Sequence, residues 1–143
     1  RSVLMKYISH SVEETEQIAM NLASKLKGDE VIAFFGGLGM GKTAFTRGVC
    51  KGLGFNDGVQ SPTFSLVNQY DAKYTVYHFD MYRINTYDDL YSTGFFDYID
   101  TGVLIIEWSE NIENALPDEY IRIEISHGDS ENERIINIEG IEI

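Results

Sequence analysis

The sequence lacks a second cysteine, any long apolar run and a signal-like start. Cys50 is the one cysteine among the 143 residues, so no intramolecular disulfide can form and nothing indicates an oxidising compartment. No stretch of 18 or more apolar residues occurs, which argues against a membrane-spanning helix. The first residues do not show the charged-then-apolar order of a signal sequence. We therefore expect a cytoplasmic protein that does not contact a membrane.

Basic side chains are also scarce, and their scarcity is uneven along the chain. The formal net charge is −12; residues 1–60 carry seven Lys or Arg and six Asp or Glu, whereas residues 61–143 carry four and seventeen. An acidic surface repels the phosphate backbone of nucleic acids, so we expect contact with RNA only through a more basic partner. The alternative is that this charge serves solubility alone.

A glycine-rich segment matches the phosphate-binding pattern G-x-x-x-x-G-K-[ST] at every position. It reads Gly36-Gly37-Leu38-Gly39-Met40-Gly41-Lys42-Thr43, between an apolar run and a helical pattern. Glycines let backbone N–H groups turn toward phosphates, and the start of a helix adds a favourable dipole. Lys42 is expected to reach the β and γ phosphates, and the Thr43 hydroxyl to ligate Mg²⁺. A chance match would occur on the order of once in several hundred such chains, so we predict that a nucleoside triphosphate binds here with Mg²⁺.

The apolar periodicity predicts one α/β domain over residues 1–143. Helices are predicted from the capping pattern at Ser11 to about Lys27 and from Lys42 to Leu53. Strands are predicted at Val3–Ile8, Val31–Phe35, Phe64–Tyr70, Thr75–Asp80, Val103–Glu107, Tyr120–Ser126 and Arg134–Glu139, with a short helix and loops at Tyr87–Asp100. Strands that alternate with helices imply parallel pairing. We expect a P-loop NTPase-like fold: a mixed, mostly parallel sheet flanked by helices, with an antiparallel C-terminal hairpin.

Two acidic residues at predicted strand ends are candidates for the second half of the site. A nucleotide–Mg²⁺ site needs a carboxylate on a neighbouring strand to hold the metal or its waters. Asp80 ends one strand, and Glu107 ends a more apolar and hence more central one. Either could instead be a solubilising acid. His78 is expected to be a packed strand histidine rather than a general base, and Cys50 a core residue.

Two hydroxyl side chains, Ser61 and Thr63, lie in a polar stretch between a helix and a strand. They could sense the γ phosphate, as switch residues do. They could equally belong to a turn in which Pro62 fixes φ. From the residues alone the two interpretations are equally good.

Taken together, these motifs resemble the bacterial TsaE family, ATPases of tRNA threonylcarbamoyladenosine (t6A) biosynthesis, over nearly the whole chain. Beyond the glycine-rich segment, the resemblance rests on Ser61–Val67, His78–Arg83 and Ile106-Glu107-Trp108. It implies a small P-loop domain that binds ATP or ADP with Mg²⁺ and hydrolyses ATP slowly. Lys42 would then contact the phosphates, Thr43 and Glu107 would hold Mg²⁺ or its waters, and Asp80 would be needed for hydrolysis.

The resemblance also implies further nucleotide contacts and protein partners. Ser61 and Thr63 would lie in a switch-like segment and Arg134 near the nucleotide, while Trp108 is expected to pack in the core rather than meet a partner. The family supports the transfer of a threonylcarbamoyl group onto adenosine 37 of tRNA without performing it. It binds TsaB and the transferase TsaD, and ATP hydrolysis would reset that complex, so the chain would meet tRNA only indirectly.

Other functions share the glycine-rich segment. A small P-loop kinase would clamp the transferred phosphoryl group with several arginines, but the five arginines of the chain form no cluster in the sequence. A GTPase would need Asp-x-x-Gly and Asn-Lys-x-Asp segments, and neither occurs. A binding module that holds a nucleotide without turnover would carry the same motifs, so it stays an alternative.

Overall fold

The structure, a computed structural model, describes residues 4–36, 41–60, 62 and 67–143. The strands are Leu4–Ser9 (β1), Val31–Phe35 (β2), Val67–Asp71 (β3), Thr75–Asp80 (β4), Val103–Glu107 (β5), Ile121–His127 (β6) and Arg134–Glu139 (β7). The helices are Val12–Ala23 (α1), Lys42–Gly52 (α2), Tyr87–Ser92 (α3) and Phe95–Tyr98 (α4), with a 3₁₀ helix at Ser109–Ala115. Within the described ranges, none of these helices has the length and apolar character needed to cross a membrane.

All of these strands join one seven-stranded sheet in the order β1-β7-β6-β2-β5-β4-β3. The central strands β6, β2, β5 and β4 run parallel. β6 and β7 form an antiparallel hairpin, and β1 and β3 pair antiparallel at the two edges. The predicted α/β fold, with its mixed sheet and C-terminal hairpin, is confirmed. Because parallel strands share a direction, the carboxyl ends of β2, β5 and β4 meet at one edge.

Alternate side chains of the central strands enter two separate cores. Ile32 and Ile105 belong to the core beneath α1 and α2, whereas Leu104 and Ile106 pack toward α3, α4 and the 3₁₀ helix. Every residue of β2 and β5 is buried. A parallel strand covered by helices on both faces needs such a continuous apolar run, which explains why these two were readable in the sequence.

Helix α2 is held tightly against α1. A Cβ added at Gly48 would lie 2.5 Å from the carbonyl oxygen of Glu16 and 2.7 Å from the Cβ of Ala19, so only glycine permits this approach. Arg47 and Lys51 both donate to the Glu16 carboxylate, at 2.8 and 2.7 Å. The close approach at Gly48 fixes α2 and therefore the position of its first residue, Lys42, whereas the two partly exposed ion pairs add little.

Some boundaries differ from the predicted ones. Helix α1 ends at Ala23, before the predicted end at about Lys27, because the backbone N–H groups of residues 27–29 donate to the carboxylate of Glu30 instead of continuing the helix. The 3₁₀ helix at Ser109–Ala115 was not predicted, and the stretch Tyr87–Asp100, predicted to hold one short helix and loops, holds two short helices. Of the strand predicted at Phe64–Tyr70, residues 64–66 lie outside the described residues.

Candidate functional site

The described ends of the glycine-rich segment lie between β2 and α2, as predicted. Gly36 follows β2 with φ of +109°, and Gly41 precedes α2 with φ of +95°. Both values lie in the region that disfavours side chains, so glycine suits both positions. Gly37, Leu38, Gly39 and Met40 lie outside the described residues, and their predicted part in nucleotide binding stays a prediction.

Lys42 opens α2 with a buried ammonium group. Its side chain reaches back so that Nζ donates to the carbonyl oxygen of Gly36 at 3.4 Å. The same Nζ lies 5.4 Å from the ring centroid of Trp108, within range of a cation–π contact. Lys42 is only 6% exposed. A buried cation with these weak partners at a helix start is suited to meeting an anion. Thr43, the next residue, is half-buried on the same turn.

The two candidate carboxylates, Asp80 and Glu107, are brought together by parallel pairing. They are register partners at the ends of β4 and β5; β5 is the neighbour of β2, the strand that leads into the glycine-rich segment, and β4 lies one strand further out. Burial raises the pKa of Asp80, and the charge of Glu107 raises it further, while the backbone N–H of Tyr82 and the charge of Lys42 act in the opposite direction. The site therefore holds two acids and one lysine within electrostatic reach of each other.

His78 lies on the same face of β4 as Asp80 and is completely buried. Its Nε2 lies 2.6 Å from Oε2 of Glu107, and its Nδ1 lies 3.4 Å from the hydroxyl of Tyr70. The prediction of a packed strand histidine is confirmed, but its contact with Glu107 was not predicted. The only signal available was period-two spacing, which places residues 78 and 80 on one face of a strand.

Another carboxylate, that of Glu110, also reaches this edge of the sheet. Its Oε2 accepts a hydrogen bond from the backbone N–H of Gly36 at 3.3 Å. Glu110 lies in the 3₁₀ helix that follows β5, so its approach depends on an element that the sequence did not reveal. Because the backbone N–H of Gly36 already binds a carboxylate oxygen, it is a donor that can bind anions.

The remaining predicted residues fall into two groups. Ser61 and Thr63 lie outside the described residues, although Gln60 and Pro62 beside them are described. Arg134 pairs with His127 at the end of the C-terminal hairpin, on the same edge of the sheet as the site, but with β6 between it and β2. Its guanidinium donates to the backbone carbonyls of Glu131 and Glu133 at 2.8 and 3.0 Å.

Trp108 and Cys50 take the positions expected of packing residues. The Trp108 ring is half-buried and packs on Tyr82, with ring centroids 5.2 Å apart. Its backbone adopts φ of +60°, which turns the chain from β5 into the 3₁₀ helix. Cys50 is fully buried, and burial raises the pKa of its thiol to about 12, so the thiol stays protonated and unreactive at neutral pH.

The side chains at this edge fit a hard divalent cation shared with phosphates. In the described part of the chain, no group of three or more His, Cys, Asp or Glu residues is placed to hold a metal by itself. Mg²⁺ in nucleotide sites typically takes only one or two protein carboxylates and completes its shell with phosphate oxygens and water. Glu107, Asp80 and the hydroxyl of Thr43 supply a donor set of that kind.

Comparisons with known proteins agree with one another. The model of a protein family described as "Threonylcarbamoyl adenosine biosynthesis protein TsaE" matches residues 9–136. Two proteins named tRNA threonylcarbamoyladenosine biosynthesis protein TsaE are similar: one from Bacillus subtilis is 39% identical, covering 90% of the chain and 82% of that protein. The other, from Rickettsia conorii, is 37% identical, covering 90% and 74%. The crystal structure of Bacillus subtilis YdiB superposes with a TM-score of 0.79 at 33% identity, covering 99% of the chain and 88% of YdiB.

Proposed function

The chain belongs to the TsaE family, and on that premise we propose that it binds ATP with Mg²⁺ and hydrolyses the ATP slowly. Family membership gives it a role in the biosynthesis of t6A in tRNA. The observation that carries the proposal is the meeting of Lys42, Asp80 and Glu107 at the edge of the sheet where the glycine-rich segment joins β2 to α2.

Phosphate binding would rest on Lys42 and on the start of α2. The ammonium group now donates to the Gly36 carbonyl at 3.4 Å, a long hydrogen bond that a phosphate oxygen could replace with a charge-assisted one. The first backbone N–H groups of α2 have no partner within the helix and point toward the same side, which adds to the attraction for anions.

Metal binding would rest on Thr43 and Glu107. When bound, Mg²⁺ would neutralise charge on the phosphate oxygens and so favour transfer of the terminal phosphoryl group to water. Glu107 ends the central strand β5 and is 7% exposed, so its carboxylate is held in a fixed position. Asp80, whose pKa burial raises, is the second acid of the site and would help to orient the attacking water.

In t6A synthesis the chain would act as an ATP-driven accessory subunit. The proposed partners are TsaB and the transferase TsaD, and the proposed task of hydrolysis is to reset their complex between modification cycles. Support comes from the charge distribution, because residues 61–143 carry seventeen acids against four basic residues. Such a surface suits a basic protein partner better than tRNA itself.

Calorimetric titration of the purified chain tests nucleotide binding. ATP with Mg²⁺ should bind at least several-fold more tightly than GTP, since the segments that read guanine are missing from the sequence. Lys42→Ala should weaken ATP binding by about 2–3 kcal/mol, roughly 30- to 150-fold, because it removes a charge-assisted contact.

The matched control is Lys51→Ala. This lysine belongs to the same helix but lies at its other end, where it binds Glu16. The control should therefore bind ATP as the unaltered protein does. Equal affinities for ATP and GTP, or unchanged ATP affinity in Lys42→Ala, would contradict the proposal.

A further inference from the structure

A chain of buried hydrogen bonds leads from Glu107 across the sheet to the backbone of Gln60. His78 Nε2 lies 2.6 Å from Oε2 of Glu107, and His78 Nδ1 lies 3.4 Å from the hydroxyl of Tyr70. The Tyr70 hydroxyl donates to the carbonyl of Gln60 at 2.9 Å and accepts from its N–H at 3.2 Å. The chain thus crosses from β5 through β4 and β3 to the residue that precedes Ser61.

Each of its side chains is shielded from water. His78 is 0% exposed, and Tyr70 and Glu107 are 6% and 7% exposed. A carboxylate can only accept hydrogen bonds, so Nε2 must donate to Glu107. The single hydroxyl hydrogen of Tyr70 can go to the Gln60 carbonyl or to Nδ1, but not to both at once. When it goes to Nδ1, the Gln60 carbonyl keeps the hydrogen bond that Asn68 donates at 3.0 Å. In a buried environment such bonds hold their partners in one orientation, because breaking them leaves polar atoms unpaired.

A purely space-filling role of His78 does not account for the polar contacts of its two ring nitrogens. The neighbouring position on the same face of β4 is Val76, an aliphatic residue in the core beneath α1 and α2. An aliphatic side chain at residue 78 would likewise fill the space without the cost of burying an imidazole. Both ring nitrogens of His78 instead face polar atoms, and Asn68 adds a further hydrogen bond to the Gln60 carbonyl at 3.0 Å.

We propose that His78 and Tyr70 are positioning residues: His78 orients the Glu107 carboxylate toward the metal, and Tyr70 links that carboxylate to the backbone at Gln60. The inference rests on the proposed nucleotide and Mg²⁺ site. It assigns to β3 and β4 a function beyond carrying Asp80, since they couple the metal-binding acid to the backbone at Gln60. Partners of metal-binding side chains commonly contribute 10- to 100-fold to metal affinity.

The test measures how much Mg²⁺ is needed for ATP binding, by calorimetry at a series of Mg²⁺ concentrations. His78→Leu should raise the half-saturating Mg²⁺ concentration on the order of 10- to 100-fold. His78→Gln should recover most of the loss, since its amide N–H reaches about as far as Nε2. Tyr70→Phe should raise the concentration by a smaller factor. ATP binding in the presence of a chelator should stay unchanged in all three, because Lys42 is intact.

The matched control is Tyr77→Phe, which removes a tyrosine hydroxyl from β4 itself, next to His78 but on the opposite face of the sheet, where the ring packs against Tyr98. Its Mg²⁺ requirement should equal that of the unaltered protein. A second measurement needs no ligand: amide hydrogen exchange at Gln60 should be faster in Tyr70→Phe than in Tyr77→Phe, since the acceptor of that N–H is lost.

The outcomes separate the inference from the proposed function. Folded His78→Gln, His78→Leu and Tyr70→Phe proteins that lose only thermal stability, with an unchanged Mg²⁺ requirement, would overturn the positioning role. If His78→Leu does not fold, Tyr70→Phe and His78→Gln decide the question. Failure of the unaltered protein to bind ATP in a Mg²⁺-dependent way would overturn the proposed function itself, whatever the exchange rate at Gln60.

Discussion

The side chain of Asp80 is held where its neutral form is favoured. Burial raises its pKa, the charge of Glu107 adds to the effect, and the backbone N–H of Tyr82 opposes it. A carboxyl whose pKa is higher in the folded than in the unfolded protein destabilises the fold whenever it is ionised. The cost is absent well below its ordinary value of 3.8 and grows as the pH rises through the folded value.

Asp80→Asn should therefore raise the melting temperature of the nucleotide-free, Mg²⁺-free protein at pH 7, because the amide removes the ionisation cost. The gain should shrink as the pH falls toward 4, where the aspartate becomes protonated. Thermal unfolding at several pH values measures both effects. Asp118→Asn, an exposed aspartate, is the control and should show little change. A lower melting temperature for Asp80→Asn at pH 7 would show that the carboxylate is stabilised by its surroundings.

Individual site residues were predictable where they belong to a local sequence pattern. Lys42 follows from the spacing of the glycine-rich segment, and Asp80 and Glu107 from their places at strand ends. The contacts of His78 with Glu107 and of Glu110 with Gly36 were not predictable, because each joins residues that are distant in sequence. The Gly36–Glu110 hydrogen bond, for example, spans 74 positions. Such contacts exist only after the strands have paired in register.

The packing of α2 on α1 sets the position of the glycine-rich segment. Gly48→Ala would place a methyl group 2.5 Å from the Glu16 carbonyl oxygen and 2.7 Å from the Ala19 Cβ. Overpacking costs about 1–3 kcal/mol, whereas alanine favours the helix by about 1 kcal/mol. Because one neighbour is backbone and cannot turn aside, the steric cost should prevail, with a net loss of up to about 2 kcal/mol in the free energy of unfolding.

Urea denaturation of Gly48→Ala measures this loss. Gly58→Ala is a useful comparison, because a Cβ at Gly58 would have no atom within 4 Å. That variant should be as stable as the unaltered protein or slightly more stable. A Gly48→Ala variant more stable than Gly58→Ala would contradict this prediction. It would mean that α1 and α2 can move apart at little cost in free energy.

Elements were predictable in proportion to the regularity of their patterns. The apolar runs of β2 and β5 and the alternation in β6 and β7 were sufficient to locate these strands. The predicted end of α1, at about Lys27, was wrong because the Glu30 side chain competes for the backbone N–H groups there. The periodicity of apolar residues carries no sign of that competition. The 3₁₀ helix was missed since it is short and begins at the positive φ of Trp108, a conformation rare for tryptophan.

The acidic character of the back half of the molecule predicts how it should associate. If it meets a basic surface on TsaB or TsaD, the complex should weaken as salt screens the charges. ATP turnover should be slow for the isolated chain and faster in the complex, because an unregulated hydrolase would consume ATP between cycles. A pull-down across a salt series, together with ATPase rates, measures both properties.

Two outcomes would contradict this expectation. Association that is absent at low salt would remove the electrostatic basis of the complex. An isolated chain that hydrolyses ATP at tens per second would favour a self-sufficient enzyme such as a kinase. Lys42→Ala is the control for contaminating ATPases, since it should abolish turnover while leaving the acidic surface unchanged.

At the level of the whole molecule, the class of fold and the parallel pairing at its centre followed from the alternation of strands and helices, since crossover connections favour parallel pairing. The order of the strands in the sheet was not predicted. The antiparallel edge strand β1 was predictable as a strand but not as the neighbour of β7. Its place depends on which edge of the finished sheet is open, and no segment of the sequence expresses that by itself.

Trp108 gives the molecule an optical property of its own. It is the one tryptophan of the chain, it follows Glu107 directly, and its ring lies 5.4 Å from the ammonium of Lys42. Indole fluorescence responds to nearby charge and to exposure to solvent. Any ligand that draws Lys42 away from the ring would change the emission of a single, unambiguous chromophore. Occupancy of the site can therefore be followed by intrinsic fluorescence, in real time and without a label.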